Sequence, residues 1–279
     1  MKKLFDELSY EVSRRTTKKY STSFSLAILA LKPSIRPAIY AIYGYVRLVD
    51  EIVDSFHDYD KKLLLNRAKM ETWQALHEGI SLNPILQSFQ HTVQQYHIDH
   101  GLIADFLQSM EMDLDEIDHD SVKYKQYIHG SAEVVGLMCL QVFTEGDTTK
   151  YEALKPYAIK LGSAFQKINF LRDLNHDKQT LGRNYFPHIE TNIFTNLVKS
   201  QIEEEIYAEF KEALYGIRML GNSSKFGVYL AYRYYFSLFN KIRKTPAEKI
   251  MNERIRIANY KKVSVMMQSY LRYKMAIMH

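Results

Sequence analysis

The 279-residue chain is long enough for one sizeable core. Its apolar share of 46% argues against disorder, and its 17 Gly and Pro residues are too few for a turn-rich sandwich or propeller. The net charge of +5 is mild; it is no sign of nucleic-acid binding, and it suits ordinary solubility as well as an anionic ligand or membrane surface.

In chain order, Met1 to Thr17 carries charges throughout and has no apolar core, so it is not a secretory signal. Ser34 is the expected cap of a helix with Pro37 in its first turn. Apolar and aromatic residues then follow at helical spacing through Ile39, Ile42, Tyr43, Val46, Val49 and Val53. Pro84 opens a second helix after Asn83, Tyr124 to Phe143 is a third, and Pro156 stands at the start of a fourth that runs to about Asp177. A loop over Gly182 to Pro187 follows, then helices over Asn196–Leu220, Lys225–Arg243 and Lys261–Met278. No segment reads as a strand. The expectation is an all-α chain forming one helical bundle, a single domain over 1–279.

The apolar stretches around Leu26–Leu31 and Val134–Leu140 fall short of the roughly 20 residues that span a bilayer. Cys139 is the sole cysteine, so no internal disulfide forms, and it reads as a small core residue. His129 and His176 lack partners at metal-ligand spacing. The mixed aromatic and basic run from Tyr229 to Arg243 reads as one buried and one solvated helix face. A cytoplasmic location is expected, with no nucleic-acid partner and no obligate protein partner.

Two polar stripes stand out. Tyr43, Arg47, Asp50 and Asp54 lie four, three and four residues apart, and Gln166, Asn169, Asp173 and Asp177 lie three, four and four apart. Each set shares one helix face, with Glu51 and Arg172 as flanking charges. Such a stripe on an otherwise apolar helix is costly unless it meets water or a partner. Mg²⁺ takes oxygen ligands, commonly one or two carboxylates with waters and substrate phosphates. Two facing stripes are suited to holding a diphosphate through Mg²⁺ at Asp50, Asp54, Asp173 and Asp177, with Mn²⁺ as a substitute, while Arg47 and Arg172 neutralise the remaining charge. By spacing alone, each stripe is equally the solvated face of a surface helix.

The segments Tyr43-Gly-Tyr-Val-Arg-Leu-Val-Asp-Glu-Ile-Val-Asp54 and Gln166-Lys-Ile-Asn-Phe-Leu-Arg-Asp-Leu-Asn-His-Asp177 resemble the two signature regions of the phytoene and squalene synthase family. Gly182-Arg-Asn-Tyr-Phe-Pro187 is similar to its G-R-x-Y-x-P segment, and Tyr127 to Met138 to its central helix. Ser21-Thr-Ser-Phe24 resembles the element that begins its first substrate-lining helix. Tyr235 and Arg254 match an aromatic and a basic position of the family. The likeness is greatest to bacterial phytoene synthases. One departure is Glu133, where relatives carry Gly; a structural or supporting role is the preferred reading.

The resemblance implies an isoprenoid synthase bundle around a central substrate cavity. It implies a magnesium-dependent prenyltransferase of carotenoid biosynthesis that joins two geranylgeranyl diphosphates head to head, through a cyclopropyl diphosphate, to phytoene. Arg47, Arg172 and Arg254 would meet the diphosphate, with Tyr43 and Tyr235 near it and near the cation. Gln166 and Asn169 would bond the metal shell or a head group. Ser21, Ser23, Phe24 and Tyr127 would contact substrate. Core packing for Tyr43, Tyr235 and Phe24, and helix capping for Ser21 and Ser23, stay open beside these roles. Two alternatives follow: a dehydrosqualene or squalene synthase using farnesyl diphosphate, and an inactive relative resembling assembly factors. Amphiphilic substrates and a hydrocarbon product imply loose peripheral association with the inner face of the membrane.

Overall fold

The computed structural model describes residues 1–114, 121–180, 183, 185–186 and 194–276. Among these residues there are α-helices and no strand. In chain order the helices are α1 (Lys2–Tyr20), α2 (Thr22–Leu29), α3 (Arg36–Ser55), α4 (Lys61–Glu78), α5 (Pro84–Tyr96), α6 (His100–Met112) and α7 (Ser121–Ile128). A π-helical turn, His129–Glu133, leads into α8 (Val134–Phe143). Then come α9 (Thr148–Thr180), α10 (Asn196–Met219), α11 (Lys225–Arg243), α12 (Ala247–Ile250) and α13 (Asn259–Lys274). The expected loop over 182–187 and the expected end of the last helix at 278 fall partly outside the described residues.

Two apolar clusters make the core. One joins α3, α4, α5, α6 and α8, with Tyr45 stacked on Phe89 at 3.8 Å between ring centroids. The other joins α9, α10 and α11 around Phe210 and Phe239, which are both fully buried. Helix α3 reads on two sides: Tyr45, Val49, Ile52 and Val53 enter the first cluster, and its polar stripe turns away from them.

Three local expectations are corrected. Ser34 is exposed and caps nothing; α3 begins at Arg36 after a buried Ile35. Burial of the Ile35 side chain fixes the chain's path there and outweighs the cap preference of a serine. Pro156 lies inside α9, not at its start, because the helix begins at Thr148, where Asp147 Oδ1 accepts from Lys150 N at 3.0 Å. The Tyr124–Phe143 stretch is helical as expected but contains the π turn, so its side chains beyond His129 are rotated relative to a regular helix.

Helix α1 was not foreseen. It packs through Ser9, Ser13 and Thr17, all fully buried at spacings of four. Ser9 Oγ and Thr17 Oγ1 donate to carbonyls one turn back, and Ser13 Oγ pairs with Ser88 Oγ at 2.7 Å. Small satisfied hydroxyls let α1 lie close on α3, where a Cβ at Gly44 would stand 2.9 Å from Ser13 Oγ. A helix that packs in this way shows no apolar stripe.

The same close approach occurs beside the cavity described below. A Cβ at Gly216 on α10 would stand 2.3 Å from Tyr157 Cβ on α9. Replacing Gly216 with Ala therefore overpacks the α9–α10 seam and is expected to cost about 1–3 kcal/mol, read as a lower urea midpoint at an unchanged slope.

Candidate active site

Where the two clusters meet lies a cavity of about 630 Å³, walled by α2, α3, the π turn, α8, α9, α10 and α11. Its lining changes character along two helices in the same direction. On α3 it runs from Ile39 through Ile42, Tyr43 and Val46 to Arg47 and Asp50. On α9 it runs from Leu154 through Ala158, Leu161 and Phe165 to Gln166, Asn169 and Arg172. Eighteen residues separate Leu154 from Arg172, so the cavity extends ~27 Å along α9 at 1.5 Å per residue. One end is apolar; the other is lined by Tyr43, Arg47, Asp50, Gln166 and Asn169, while Asp54, Asp173 and Asp177 of the two stripes lie beyond the lining.

Asp54 stands one turn beyond Asp50, and Asp173 and Asp177 stand one and two turns beyond Asn169. The stripes face each other. Burial pushes the Asp50 carboxyl up to about 8, and the Asp54 charge adds to this despite Arg47. Burial likewise raises Asp177 to about 7, helped by Asp173 and by Asp54 across the gap. Carboxylates from α3 and α9 thus repel one another at the polar end.

The arginines are unequally engaged. Arg172 Nη2 lies 2.5 Å from Asp173 Oδ2, and Arg254 Nε lies 2.6 Å from Asp173 Oδ1. Burial works against the charge of Arg172, but the Asp173 carboxylate outweighs it and raises its pKa. Arg47 pairs with Glu51 and lies over the Tyr20 ring at 4.4 Å. Its buried Nε has no hydrogen-bond partner among the described residues.

An aromatic group covers the junction between the two ends. Phe165 stacks on Tyr235 at 3.9 Å, and Phe24 lies 5.8 Å from Tyr43 and 5.7 Å from Tyr235. Tyr235 donates to Asn169 Oδ1 at 3.2 Å. Burial lifts Tyr43 to about 12, which keeps the phenol protonated.

Of the residues singled out in the sequence, Tyr43, Arg47, Asp50, Ser21, Phe24, Gln166, Asn169, Arg172, Tyr235 and Arg254 line the cavity. Ser21 also caps α2, accepting from Phe24 N at 3.2 Å, so both of its readings hold. Ser23 does not line the cavity, because its position on α2 turns it away from the wall that Ser21 and Phe24 share. Tyr127 does not line it either. It is buried against Phe170 and Tyr185 and donates to Asp113 Oδ2 at 2.8 Å. Cys139 is not purely a core residue but part of the cavity wall. Glu133 accepts from or shares a proton with His129 Nδ1 at 2.9 Å, and its backbone presses on Gly162, in keeping with a structural role.

Sequence reasoning missed Tyr20, Phe165 and Asp113, and it placed Arg183 and Tyr185 in the G-R-x-Y-x-P segment without giving them a role. Arg183 is held by Asp54 Oδ1 at 2.9 Å, Tyr185 Oη at 3.2 Å, and the carbonyls of Val53 and Asp113 at 3.2 and 3.0 Å. Asp113 accepts from Tyr127 and from Tyr185, the latter at 3.0 Å. Burial raises its carboxyl to about 6 against the pull of Arg183. This cluster fixes the outer end of the α3 stripe. The G-R-x-Y-x-P likeness marks Arg183 and Tyr185 in sequence, but no spacing shows that they meet Asp54 and Asp113. Among the described residues, no three His, Cys, Asp or Glu side chains converge to hold a metal ion unaided.

The sequence pattern of the squalene/phytoene synthase family matches residues 17–261. The chain is 26% identical to the 4,4'-diapophytoene synthase of Staphylococcus haemolyticus, over 96% of this chain and 98% of that one. It is 26% identical to the 15-cis-phytoene synthase of Synechocystis, over 95% and 86%. Against the chloroplastic phytoene synthase of an Oncidium hybrid it spans 61% of the relative's length, at 26% identity. In fold it resembles a dehydrosqualene synthase solved with a ligand, with a TM-score of 0.82 at 20% identity over 96% of this chain and 98% of the other.

Two outcomes follow from the site's electrostatics. Raised carboxyl values mean that the folded chain holds protons which the unfolded chain has released, so stability is fullest near pH 4 and is lost as pH rises toward 8. The melting temperature of the ligand-free protein is expected to fall between pH 5 and 8, and Asp50→Asn to flatten that slope. Arg183→Met leaves Asp113 buried without its counter-charge and is expected to cost about 3–5 kcal/mol in denaturant unfolding; adding Asp113→Asn should recover much of the loss.

Proposed function

The chain belongs to the squalene/phytoene synthase family, whose members are prenyltransferases that condense head to head, and we propose that it joins two geranylgeranyl diphosphates to give phytoene. The observation that carries the reading is a deep apolar cavity whose polar end is lined by Asp50, Gln166 and Asn169, with Asp54, Asp173 and Asp177 beyond that lining on the same two helices and the Asp54 charge felt at Asp177.

The donor set fits Mg²⁺. Hard carboxylate oxygens of Asp50, Asp54 and Asp177 crowd one another without enough positive charge, and no protein cage is complete without further ligands. Diphosphate oxygens and water would complete the shell. When bound, Mg²⁺ supplies Lewis-acid stabilisation of the departing diphosphate. The chain's own residues do the rest. Arg47 lines the cavity, and its buried Nε has no hydrogen-bond partner among the described residues. Arg172 and Arg254 pair with Asp173; an incoming diphosphate competes for both, and their transfer to it frees Asp173 toward the metal. Phe24, Tyr43, Phe165 and Tyr235 stand between head group and tail, where aromatic faces stabilise a carbocation by ~2 kcal/mol when desolvated. The apolar walls exclude the water that would quench it.

Chain length divides two readings. The cavity's ~27 Å reach along α9 suits the extended twenty-carbon tail. Each further isoprene unit offers roughly 4 kcal/mol of burial at about 0.8 kcal/mol per carbon. The second reading, two farnesyl chains giving dehydrosqualene, asks less room of a cavity of about 630 Å³. The Staphylococcus relative, matched over 98% of its length, is in line with the shorter chain. Peripheral association with a membrane is part of this reading. No helix among the described residues is long and apolar enough to cross one.

Purified protein with Mg²⁺ is expected to convert the C20 diphosphate to phytoene faster than the C15 diphosphate to dehydrosqualene, judged by chromatography and mass spectrometry of the hydrocarbon. The reverse order selects the second reading, and no hydrocarbon from either overturns both. Asp50→Ala and Asp173→Ala should each lower turnover by about 10³-fold while the protein stays folded. Unchanged turnover would take both aspartates out of the reaction, whereas an inactive, assembly-type relative would give no hydrocarbon with or without them.

A further inference from the structure

Helix α13 is apolar on two opposite sides. Its inner side carries Val265, Met266 and Ser269 and packs on Leu230 and Tyr234 of α11, on Leu26 of α2 and on Ala30 just after it. Its outer side carries Tyr260, Val263, Met267, Tyr270 and Leu271, continued by Met275, which are 49–72% exposed. Positions 260, 263, 267, 270 and 271 fall within a ~100° arc at 100° per residue. A soluble helix seldom turns such a stripe to water.

The charge around that stripe is of one sign. Residues 254–276 contain six Lys or Arg and no Asp or Glu, so this segment carries the chain's whole net excess of +5, and the remainder is close to neutral. Arg254 belongs to the active site. Arg256, Lys261, Lys262, Arg272 and Lys274 take part in no ion pair among the described residues. At 100° per residue Lys274 falls within the stripe and Lys261 and Arg272 along one flank of it, while Lys262 turns inward to Thr22; an apolar stripe with these cations matches an anionic bilayer, which offers hydrocarbon between phosphate-bearing head groups.

Position supports the same occupant. Lys262 Nζ donates to Thr22 Oγ1 at 2.5 Å, and the neighbouring Ser21 and Tyr20 line the cavity. Helix α2 is a shared wall, with Phe24, Ala27 and Ile28 toward the cavity and Leu26, with Ala30 just after the helix, toward α13. We infer that the outer face of α13 lies flat on an anionic membrane and sets the α1–α2 end of the cavity beside the lipid surface. This deepens the peripheral association proposed above by naming the face responsible.

The test is flotation of the full chain, without substrate or Mg²⁺, on phosphatidylglycerol and on phosphatidylcholine vesicles. The wild type is expected to float with the anionic vesicles only and to be released by 0.5 M NaCl, where charges beyond a few Å are screened. Val263→Glu/Met267→Glu/Leu271→Glu should lower the bound fraction at least tenfold, with melting temperature and turnover on detergent-dispersed substrate unchanged. Lys261→Glu/Lys274→Glu, which keeps every apolar side chain of the stripe and removes the Lys274 ammonium 5.7 Å from the Tyr270 ring centroid, should lower affinity by at least ~25-fold at about fivefold per charge. The proposal is overturned if the wild type stays at the bottom of the gradient, or if both variants float as it does. It is equally overturned if sedimentation shows a dimer that the triple variant dissolves while vesicles bind neither form. Flotation without condensation would sink the enzymatic reading and leave this one standing; condensation without flotation would do the opposite.

Discussion

Repulsion between carboxylates from α3 and α9 is the constraint around which the rest is arranged. Asp50 and Asp177 are raised by burial and by their acidic neighbours, and Asp54 is felt from both helices. Such a cluster works against folding near neutral pH, and no domain gathers it without something to hold the helices in place. The restraint comes from behind the stripes. Tyr45, Val49, Ile52 and Val53 seat α3 in one core, and Ile168 and Leu171 seat α9 in the other. Stability is spent at the mouth to keep a high local charge demand, which a cation with a polyanion can satisfy.

The arginines show how that demand is moderated. Arg183 is fully committed, to Asp54, Asp113, Tyr185 and two carbonyls, and so acts as a fixed strut for the outer end of the stripe. Arg172 and Arg254 share a single carboxylate, and Arg47 keeps a bare Nε. Fixed and exchangeable cations therefore coexist within one site. The exchangeable ones lie on the cavity wall with Asn169 and Gln166, and the fixed one lies outside it. This division separates holding the geometry from binding the ligand.

Much of this was legible in the sequence, and the gaps have physical causes. Helical period and the two stripes gave the all-α class and the polar wall, because 3.6-residue spacing places Asp50 with Arg47 and Asn169 with Arg172 whatever the tertiary packing. Helix α1 escaped because Ser9 and Thr17 bury hydroxyls bonded to their own helix backbone and Ser13 one bonded to Ser88, a face without hydrophobic contrast. Tyr127 was misplaced because its helix lies near the site while its hydroxyl serves Asp113; periodicity gives a face but not what that face meets. Arg183 and Asp113 lie 70 residues apart and are joined only by folding, so no local pattern could pair them.

The outer face of α13 completes the logic of the cavity. A chamber that excludes water also makes it hard for a long hydrocarbon product to leave through water, at roughly 0.8 kcal/mol for each exposed methylene. The α2 wall is thin, one helix with cavity on one side and α13 on the other. If the polar end handles diphosphate and cations, the hydrocarbon needs a second medium close at hand. A basic, apolar helix face beside the α1–α2 junction places such a medium where the wall is a single helix thick. The positive charge that suits α13 to a lipid surface also suits the approach of diphosphate substrates along it, so one feature of the sequence, a run from 254 to 276 without an acidic residue, serves both ends of the reaction.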